Sequence, residues 1–434
     1  MTILVIRLFL VYYIEVTKII IIKFGDEKMQ KRYTKIFLFT FTVTVMVGLL
    51  GLCIFFFVSR VDRKNQGMSD LKAEESILEI LNLVEEDKEP SEVQEESLPE
   101  QVMEDGVYYF QTTDPNKGEV LLGFAGDINF ADDYSNMAVL KQRGGNMSSC
   151  IDQAVLDRMR SVDIMMLNNE FTYTKRGTPV EGKTYTFRSN PDNVSLLSEM
   201  GVDLVSLANN HAYDYGEVSL LDTMDTLQSE NILFAGAGKT IDEAAKPIYI
   251  EVSGVRIAYI CATQIERVDN PDTKGATKDQ PGVFRCWNID HLLEVIKETK
   301  KEADITIVYV HWGTENETNP DWAQLEQAKK ISEAGADAII GNHTHCLQGI
   351  EKINSTLLIY SLGNFWFNSK TQESCMVEMI VSKEGIKQFR FIPAMQKDYR
   401  TTFLEGAEKD RVLEYMRTLS KGVTIDQDGY VDWD

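Results

Sequence analysis

Two unlike patterns of apolar residues divide the chain. Ile36 to Val58 is a run of 23 residues without a charge, and at about 1.5 Å per helical residue it can cross a hydrocarbon layer of about 30 Å. This predicts one transmembrane helix. A cleaved signal peptide would carry a shorter apolar region ending in small residues, whereas this run closes on FFFVSR. Beyond Gly106, short β-branched runs alternate with amphipathic stretches of helical length, the pattern of an α/β domain. Strands are expected at EVLLGFAG, VDIMMLN, VDLVSLA, DITIVYV and ADAIIG, and helices over 193–200, 217–229, 291–300, 322–333 and 408–421. IYIEVSGVRIAYI and CMVEMIVSKEGIKQFRFI read as hairpins turning at Ser253-Gly254 and near Glu384-Gly385, so antiparallel pieces accompany the parallel ones.

Residues 1 to 24 are apolar too, but Arg7, Glu15, Lys18 and Lys23 break them into runs too short to span. Met29 is an alternative start, since MQKRYTK before an apolar run is a normal beginning for an anchor. Four cations precede the run (Lys28, Lys31, Arg32, Lys35) and three follow it (Arg60, Arg63, Lys64), a slight positive-inside bias. Between Asp70 and Asp105, 14 acidic residues face only Lys72 and Lys88, which places about half of the net charge of −23 in one stretch. With Pro90 and Pro99 it reads as a solvated stalk, within which 77–84 could form a short helix. The expected organisation is an N-terminal segment 1–35, an anchor 36–58, an acidic linker 59–106 and a folded domain 107–434. Such acidity argues against general nucleic-acid binding, which needs a basic stripe. Cys53 lies in the anchor run, and Cys150, Cys261, Cys286, Cys346 and Cys375 lack CxxC spacing. They form neither a zinc-ribbon nor a disulfide pattern and are expected mostly as small buried residues.

Chemistry gathers where the expected strands end. Asp127 follows LLGFAG, Glu170 follows IMMLNN, Asn210 and His211 follow LVSLAN, His311 follows TIVYV, and His343 and His345 follow AIIGN. Four of the five histidines occupy these ends; His291, in NIDHLLEVI, does not. Carboxyl ends of strands in open α/β sheets line one crevice, so residues distant in sequence can converge there. Any one of these histidines alone would be read as a hydrogen-bonded core residue. Together they point to a site, and carboxylate, amide and imidazole without thiolate suit divalent Mn, Fe, Zn or Mg.

The segments GDINF, TYTFRSNPDNVSLLSEMGVDLVSLANNHAYDYG, VYVHWGTENE, GNHTHCLQGIE and YSLGNFWF, running from Glu119 to Phe367, resemble the successive motifs of the CapA family of capsule and poly-γ-glutamate synthesis proteins. Their order also resembles that of calcineurin-type metallophosphoesterases. That resemblance implies a metallophosphatase-like two-sheet β-sandwich flanked by helices, with two divalent metal ions. Carried over, Asp127 and Glu170 would hold or bridge metal, and Asn210, His311, His343 and His345 would complete the shells. His211 would face the substrate, with Asp214 either orienting it or serving as a turn or cap carboxylate in AYDYGE. Arg188 in TFRS could clamp an anionic substrate or belong to an ordinary ion pair. Glu315 in HWGTE is a further candidate on the substrate side, while Trp312, Gln348 and Asn364 read as wall or turn residues. If the HTH segment is extended, Cys346 points away from the site. Three positions depart from the phosphoesterase pattern: Asn129 stands where a His is usual, Glu170 where an Asp is usual, and Ala212 where an acid is usual.

The resemblance implies a single-pass membrane protein with its large domain outside the cytoplasm, acting in capsule or poly-γ-glutamate biosynthesis or export through a metal-dependent, phosphoesterase-like hydrolase site. The membrane, an anionic polymer and subunits of a membrane synthase or exporter are its expected partners. Two other readings are a non-catalytic subunit of such a complex and a general secreted metallophosphatase.

Overall fold

The computed structural model describes residues 102–104, 106–111, 118–266 and 273–433. The segment 1–35, the anchor run 36–58 and nearly all of the acidic stretch, with its short helix at 77–84, lie outside the described residues. No helix among the described residues is long and apolar enough to cross a membrane.

Two eight-stranded sheets contain all the expected strands together with others not expected, among them Leu233–Ala235, Ile350–Ile353, Thr356–Ile359, Asn364–Trp366 and Arg400–Phe403. In one, Glu119–Ile128, Ile164–Asn169, Leu204–Ser206 and Leu233–Ala235 run parallel in that order, and the hairpin Gln372–Ser382 with Gly385–Lys397 adds antiparallel beside Glu119–Ile128. In the other, Val255–Thr263, Ile305–His311, Ala338–Asn342 and Thr356–Ile359 run parallel, with Ile248–Val252 turning back at Ser253-Gly254. Val102–Glu104, from the stretch expected as linker, pairs with Val107–Tyr109 at the edge of this second sheet. The sheet thus begins a few residues before the expected boundary.

Period-two alternation decides which side chains meet between the sheets. Val120, Leu122 and Phe124 from one sheet share a core with Ile305, Ile307 and Tyr309 from the other. Each such buried side chain contributes about 1.5–3 kcal/mol. The opposite faces pack under helices: Met165, Leu167 and Val205 under Gln153–Arg160, Ser195–Met200 and Glu217–Ser229, and Val308 and Val310 under Asp290–Thr299 and Trp322–Ala334. The last of these helices starts at a capping box between Asp321 and Gln324 and stops at Gly335 in a left-handed conformation. The expected helix at 193–200 is a 3-10 turn over Pro191–Val194 leading into Ser195–Met200, and the C-terminal helix is Gly406–Leu419.

Both parallel blocks end at the same crevice, and two features aim the residues there. The pairing of Glu119–Ile128 with Ile164–Asn169 shifts register between Phe124 and Asp127, a bulge that re-aims the strand end. The Ala125 carbonyl at that bulge accepts the Tyr309 hydroxyl at 2.9 Å, tying the two sheets together. Next to it, Asn364–Trp366 adds parallel to the strand, with Asn364 opposite Asp127 and the Asp127 N–H donating to the Gly363 carbonyl at 3.0 Å. A Cβ on Gly126 would lie 1.8 Å from that same carbonyl oxygen. Gly126→Ala is therefore expected to force the strands apart, costing about 3 kcal/mol and weakening any ligand that uses Asp127. Urea denaturation of the variant would measure this, and an unchanged midpoint would show that the contact yields.

Candidate functional site

Asp127, Glu170, Asn210, His211, His311 and His343 are all buried around one crevice, and His345 joins them with 17% of its side chain exposed. The Asn168 amide lies between the two carboxylates, donating to Asp127 at 2.8 Å and Glu170 at 3.3 Å. His311 presents Nε2 to Asn210 Oδ1 at 2.7 Å, to His343 Nδ1 at 2.9 Å and to Glu170 Oε1 at 3.9 Å. His345 Nδ1 lies 2.8 Å from Asn364 Oδ1 and 3.5 Å from Asp127 Oδ2.

The histidine pair of HTH lies just past the strand Ala338–Asn342, and the segment is not extended. His343 and His345 have φ of 89° and 57°, left-handed values that few non-glycine residues adopt and that concentrate at functional sites. The His343 N–H points at Asp127 Oδ2 at 3.3 Å. Because the backbone turns, the alternation argument for Cys346 does not hold. Its thiol contacts the Glu317 carbonyl at 3.3 Å. Among the described residues no cysteine forms a disulfide, and Cys150, Cys261, Cys286 and Cys375 are buried.

Two sets of side chains could hold a cation: Glu170, His311 and His343, and Asp127, Glu170 and His345, each with ligand atoms within 4.8 Å of one another. Their shared member is the informative one. Glu170 Oε1 is buried without a hydrogen-bond partner and lies 3.9 Å from Nε2 of both His211 and His311, an arrangement that burial penalises unless a positive charge is present. His311 has acceptor oxygens on both sides, Asn342 Oδ1 at 2.8 Å from Nδ1 and Asn210 Oδ1 from Nε2. A neutral imidazole has one N–H, so Nδ1 donating to Asn342 leaves the Nε2 lone pair facing an oxygen, as suits a nitrogen that binds a cation. The residues present fit a divalent ion.

Electrostatics follow the same division. Burial, then the Asp127 charge, lifts Glu170 well above the usual carboxylate range. Burial would raise Asp127 as well, but His345 and His311 more than offset it and hold Asp127 low. Burial pushes His311 down to about 3, and burial followed by the proximity of His311 pushes His343 well down. For His345, burial is outweighed by its contact with Asp127, and its pKa is raised.

His211 stands opposite. Its Nδ1 is 2.7 Å from Asp214 Oδ2, and Phe187 packs on its ring with centroids 4.2 Å apart. Burial lowers its pKa against the opposing pull of Asp214. Asp214 caps no helix: the helix Glu217–Ser229 starts after Gly216. Its carboxylate takes the Phe187 N–H at 2.6 Å and pairs with Lys183 at 2.5 Å, and the Lys183 ammonium also donates to the Asn210 carbonyl. Lys183 was missed from sequence because it lies in an irregular loop; Asn168 was missed too, although its place on the strand two residues before Glu170 was a signal that could have found it.

Other candidates lie further out. Among the described residues Arg188 has no ion-pair partner and stacks over the Tyr215 ring at 4.3 Å. Glu315 is exposed, yet near enough that its charge helps raise Glu170 and His345. Asn129 is turned to structure: its side-chain oxygen accepts the Ala131 N–H at 2.8 Å and its carbonyl accepts the Asn136 amide. Trp312 donates to the Tyr360 carbonyl at 2.8 Å, and Gln348 accepts from Gln324 at 2.8 Å. His291 is exposed on the helix Asp290–Thr299.

Residues 121–369, more than half of the chain, match the family described as bacterial capsule synthesis protein PGA_cap. The chain belongs to this family. It is 35% identical over 263 residues to the PGA biosynthesis protein CapA of Bacillus subtilis (strain 168), covering 59% of this chain and 66% of that protein. It is 32% identical over 251 residues to the capsule biosynthesis protein CapA of Bacillus anthracis, covering 55% and 59%. The chain therefore spans less than two thirds of these PGA_cap relatives. A solved structure of a hypothetical protein from Thermus thermophilus aligns with 63% of this chain and 99% of its own at 16% identity, with a TM-score of 0.38.

Two outcomes follow from the site. Lys183→Met would leave Asp214 buried beside His211 without its cation, since the two side chains are 4% and 0% exposed; the loss in urea denaturation is expected to be about 3–5 kcal/mol, partly recovered in Lys183→Met/Asp214→Asn. A divalent cation entering beside Glu170 and His345 must displace protons, because both are raised. Affinity is then expected to rise with pH through the neutral range and to level off once both groups are deprotonated. Titration calorimetry in buffers of different ionisation enthalpy would detect the released protons; pH-independent affinity would contradict the assignment.

Proposed function

We propose that this chain is a capsule or poly-γ-glutamate biosynthesis protein whose crevice is a two-metal, phosphoesterase-like hydrolase site acting outside the cytoplasm, with an anchor over 36–58. Family membership supports the biosynthetic setting. The observation that carries the hydrolase reading is the unpartnered, buried Glu170 oxygen common to both ligand sets. In this reading Glu170, Asn210, His311 and His343 would hold one cation, and Glu170, Asp127 and His345 the other. Divalent cations bound there would supply Lewis acidity and ease the ionisation of water.

The remaining work falls to the protein's own side chains. As water attacks phosphorus and the ester P–O bond breaks, the leaving oxygen needs a proton. In its protonated form His211 is placed to give it from Nε2, because Asp214 holds the Nδ1–H, and the proton released by the attacking water restores the balance. Lys183 balances the Asp214 charge, and Phe187 covers the imidazole face and excludes water. Arg188 and Glu315 would then meet the substrate at the mouth, where a planar guanidinium suits an anionic group. His211→Ala is expected to lower turnover of a phosphoester by about 10²–10⁴-fold while the protein keeps its metal, measured by steady-state kinetics beside elemental analysis. Equal turnover in the metal-loaded variant would remove His211 from the chemistry.

A further inference from the structure

A second concentration of charge lies away from the crevice, and its sign is opposite to that of the chain. Gly385–Lys397 and Arg400–Phe403 are joined by a two-residue turn, Asp398-Tyr399, with both residues left-handed at φ of 51° and 60°. The turn directs its carbonyls at Arg143, which donates to Asp398 O at 3.0 Å and reaches Tyr399 O at 3.5 Å and Ser149 O at 3.4 Å. Arg400 donates to the same Ser149 carbonyl at 3.1 Å. Two guanidinium groups therefore converge on one neutral oxygen. Lys397, exposed and without an ion-pair partner among the described residues, completes an open cleft of about 570 Å³ lined also by Ser149, Asp398 and Thr402.

Carbonyl oxygens fix a guanidinium without cancelling its charge. Among the described residues, the carboxylates at hand are Asp398, in the lining, and Asp152, 3.6 Å from Arg400. Like charges crowded in this way are relieved by an anion, and planar guanidinium forks match carboxylate geometry. An isolated small anion would be served by a tight, enclosed pocket; this cleft is open and roomy at about 570 Å³, which suits a chain carrying repeated charges. We propose that the cleft formed by Arg143, Lys397 and Arg400 is a non-catalytic docking site for a polycarboxylate chain. The inference deepens the reading of an anionic polymer as this protein's substrate class and rests on it. A structural link to the crevice exists: the Tyr399 carbonyl accepts the Trp366 indole N–H at 3.1 Å, and Trp366 ends the strand that begins with Asn364, the partner of His345.

The test is fluorescence anisotropy of labelled poly-γ-glutamate with the full chain, at low and at physiological salt. Lys397→Glu touches no side-chain contact among the described residues and should fold normally. It is expected to weaken binding by about fivefold at low salt and to flatten the salt dependence, and Arg400→Gln should act in the same direction. Wild-type affinity in both Lys397→Glu and Arg400→Gln would overturn the proposal, as would a cleft that binds inorganic phosphate and no polymer. Absent phosphoester turnover together with cleft-dependent polymer binding would sink the hydrolase reading and leave this one standing, and the reverse pattern would do the opposite.

Discussion

The site is organised by the cost of keeping two carboxylates, Asp127 and Glu170, out of water at the end of adjacent strands. Both are fully buried, and one amide, that of Asn168, is shared between them. A single neutral donor cannot satisfy two buried carboxylates, whose oxygens offer about four lone-pair positions each. The surroundings respond in three ways. His345 is drawn toward Asp127, the backbone N–H of His343 is turned toward the same carboxylate through a left-handed residue, and Glu170 is pushed toward its neutral form. None of these provides a partner for Glu170 Oε1, which is why the pocket reads as one completed by cations.

Much of this was legible in the sequence, for identifiable reasons. The five strands that carry the site combine β-branched runs with turns or helices of ordinary length, so their identity could be read from periodicity, and the crevice from the rule that strand carboxyl ends in open α/β sheets converge. The two hairpins were equally plain because Ser253-Gly254 and Glu384-Gly385 interrupt alternating runs, the second turn falling one residue earlier, at Lys383-Glu384. The features that aim the side chains were not legible. The bulge at Ala125, the approach of Gly126 to Gly363 and the left-handed turns at His343 and His345 arise from contacts between segments distant in sequence, and no local propensity encodes them. Lys183 was hidden for the same reason, since its role depends on a loop folding back on Asp214. Val102–Glu104 escaped because three residues in an acidic stretch become a strand only when a sheet edge is offered.

The paired arrangements around His211 and His311 explain how one crevice can hold histidines of different use. His311 and His343 lose protons readily because burial opposes a charge on each, and the proximity of His311 adds to this for His343, the state a ligand nitrogen requires. His211 is also buried, but Asp214 opposes the loss, and the Lys183 ammonium keeps that carboxylate from standing alone. An imidazole held at Nδ1 by a balanced carboxylate can exchange a proton only through Nε2, the nitrogen on the Glu170 side. In the proposed reading, identical residue types are thereby divided by their neighbours into groups that would accept a cation and one that would move a proton.

Net charge poses the last constraint. A chain of net charge −23 repels an anionic polymer at long range, and about half of that charge lies in the acidic stretch before the domain. Screening shortens this repulsion to roughly 8 Å at physiological ionic strength, so local structure decides whether an anionic chain can settle. Within that range a crevice neutralised by cations and the cleft lined by Arg143, Lys397 and Arg400 would each present positive potential. In the proposed reading an acidic protein can handle an acidic chain provided that its positive groups are few and fixed by neutral carbonyls. Arg143 satisfies that condition: backbone oxygens of Ser149, Asp398 and Tyr399 hold its guanidinium, which also stands 3.8 Å from the Cys150 sulfur.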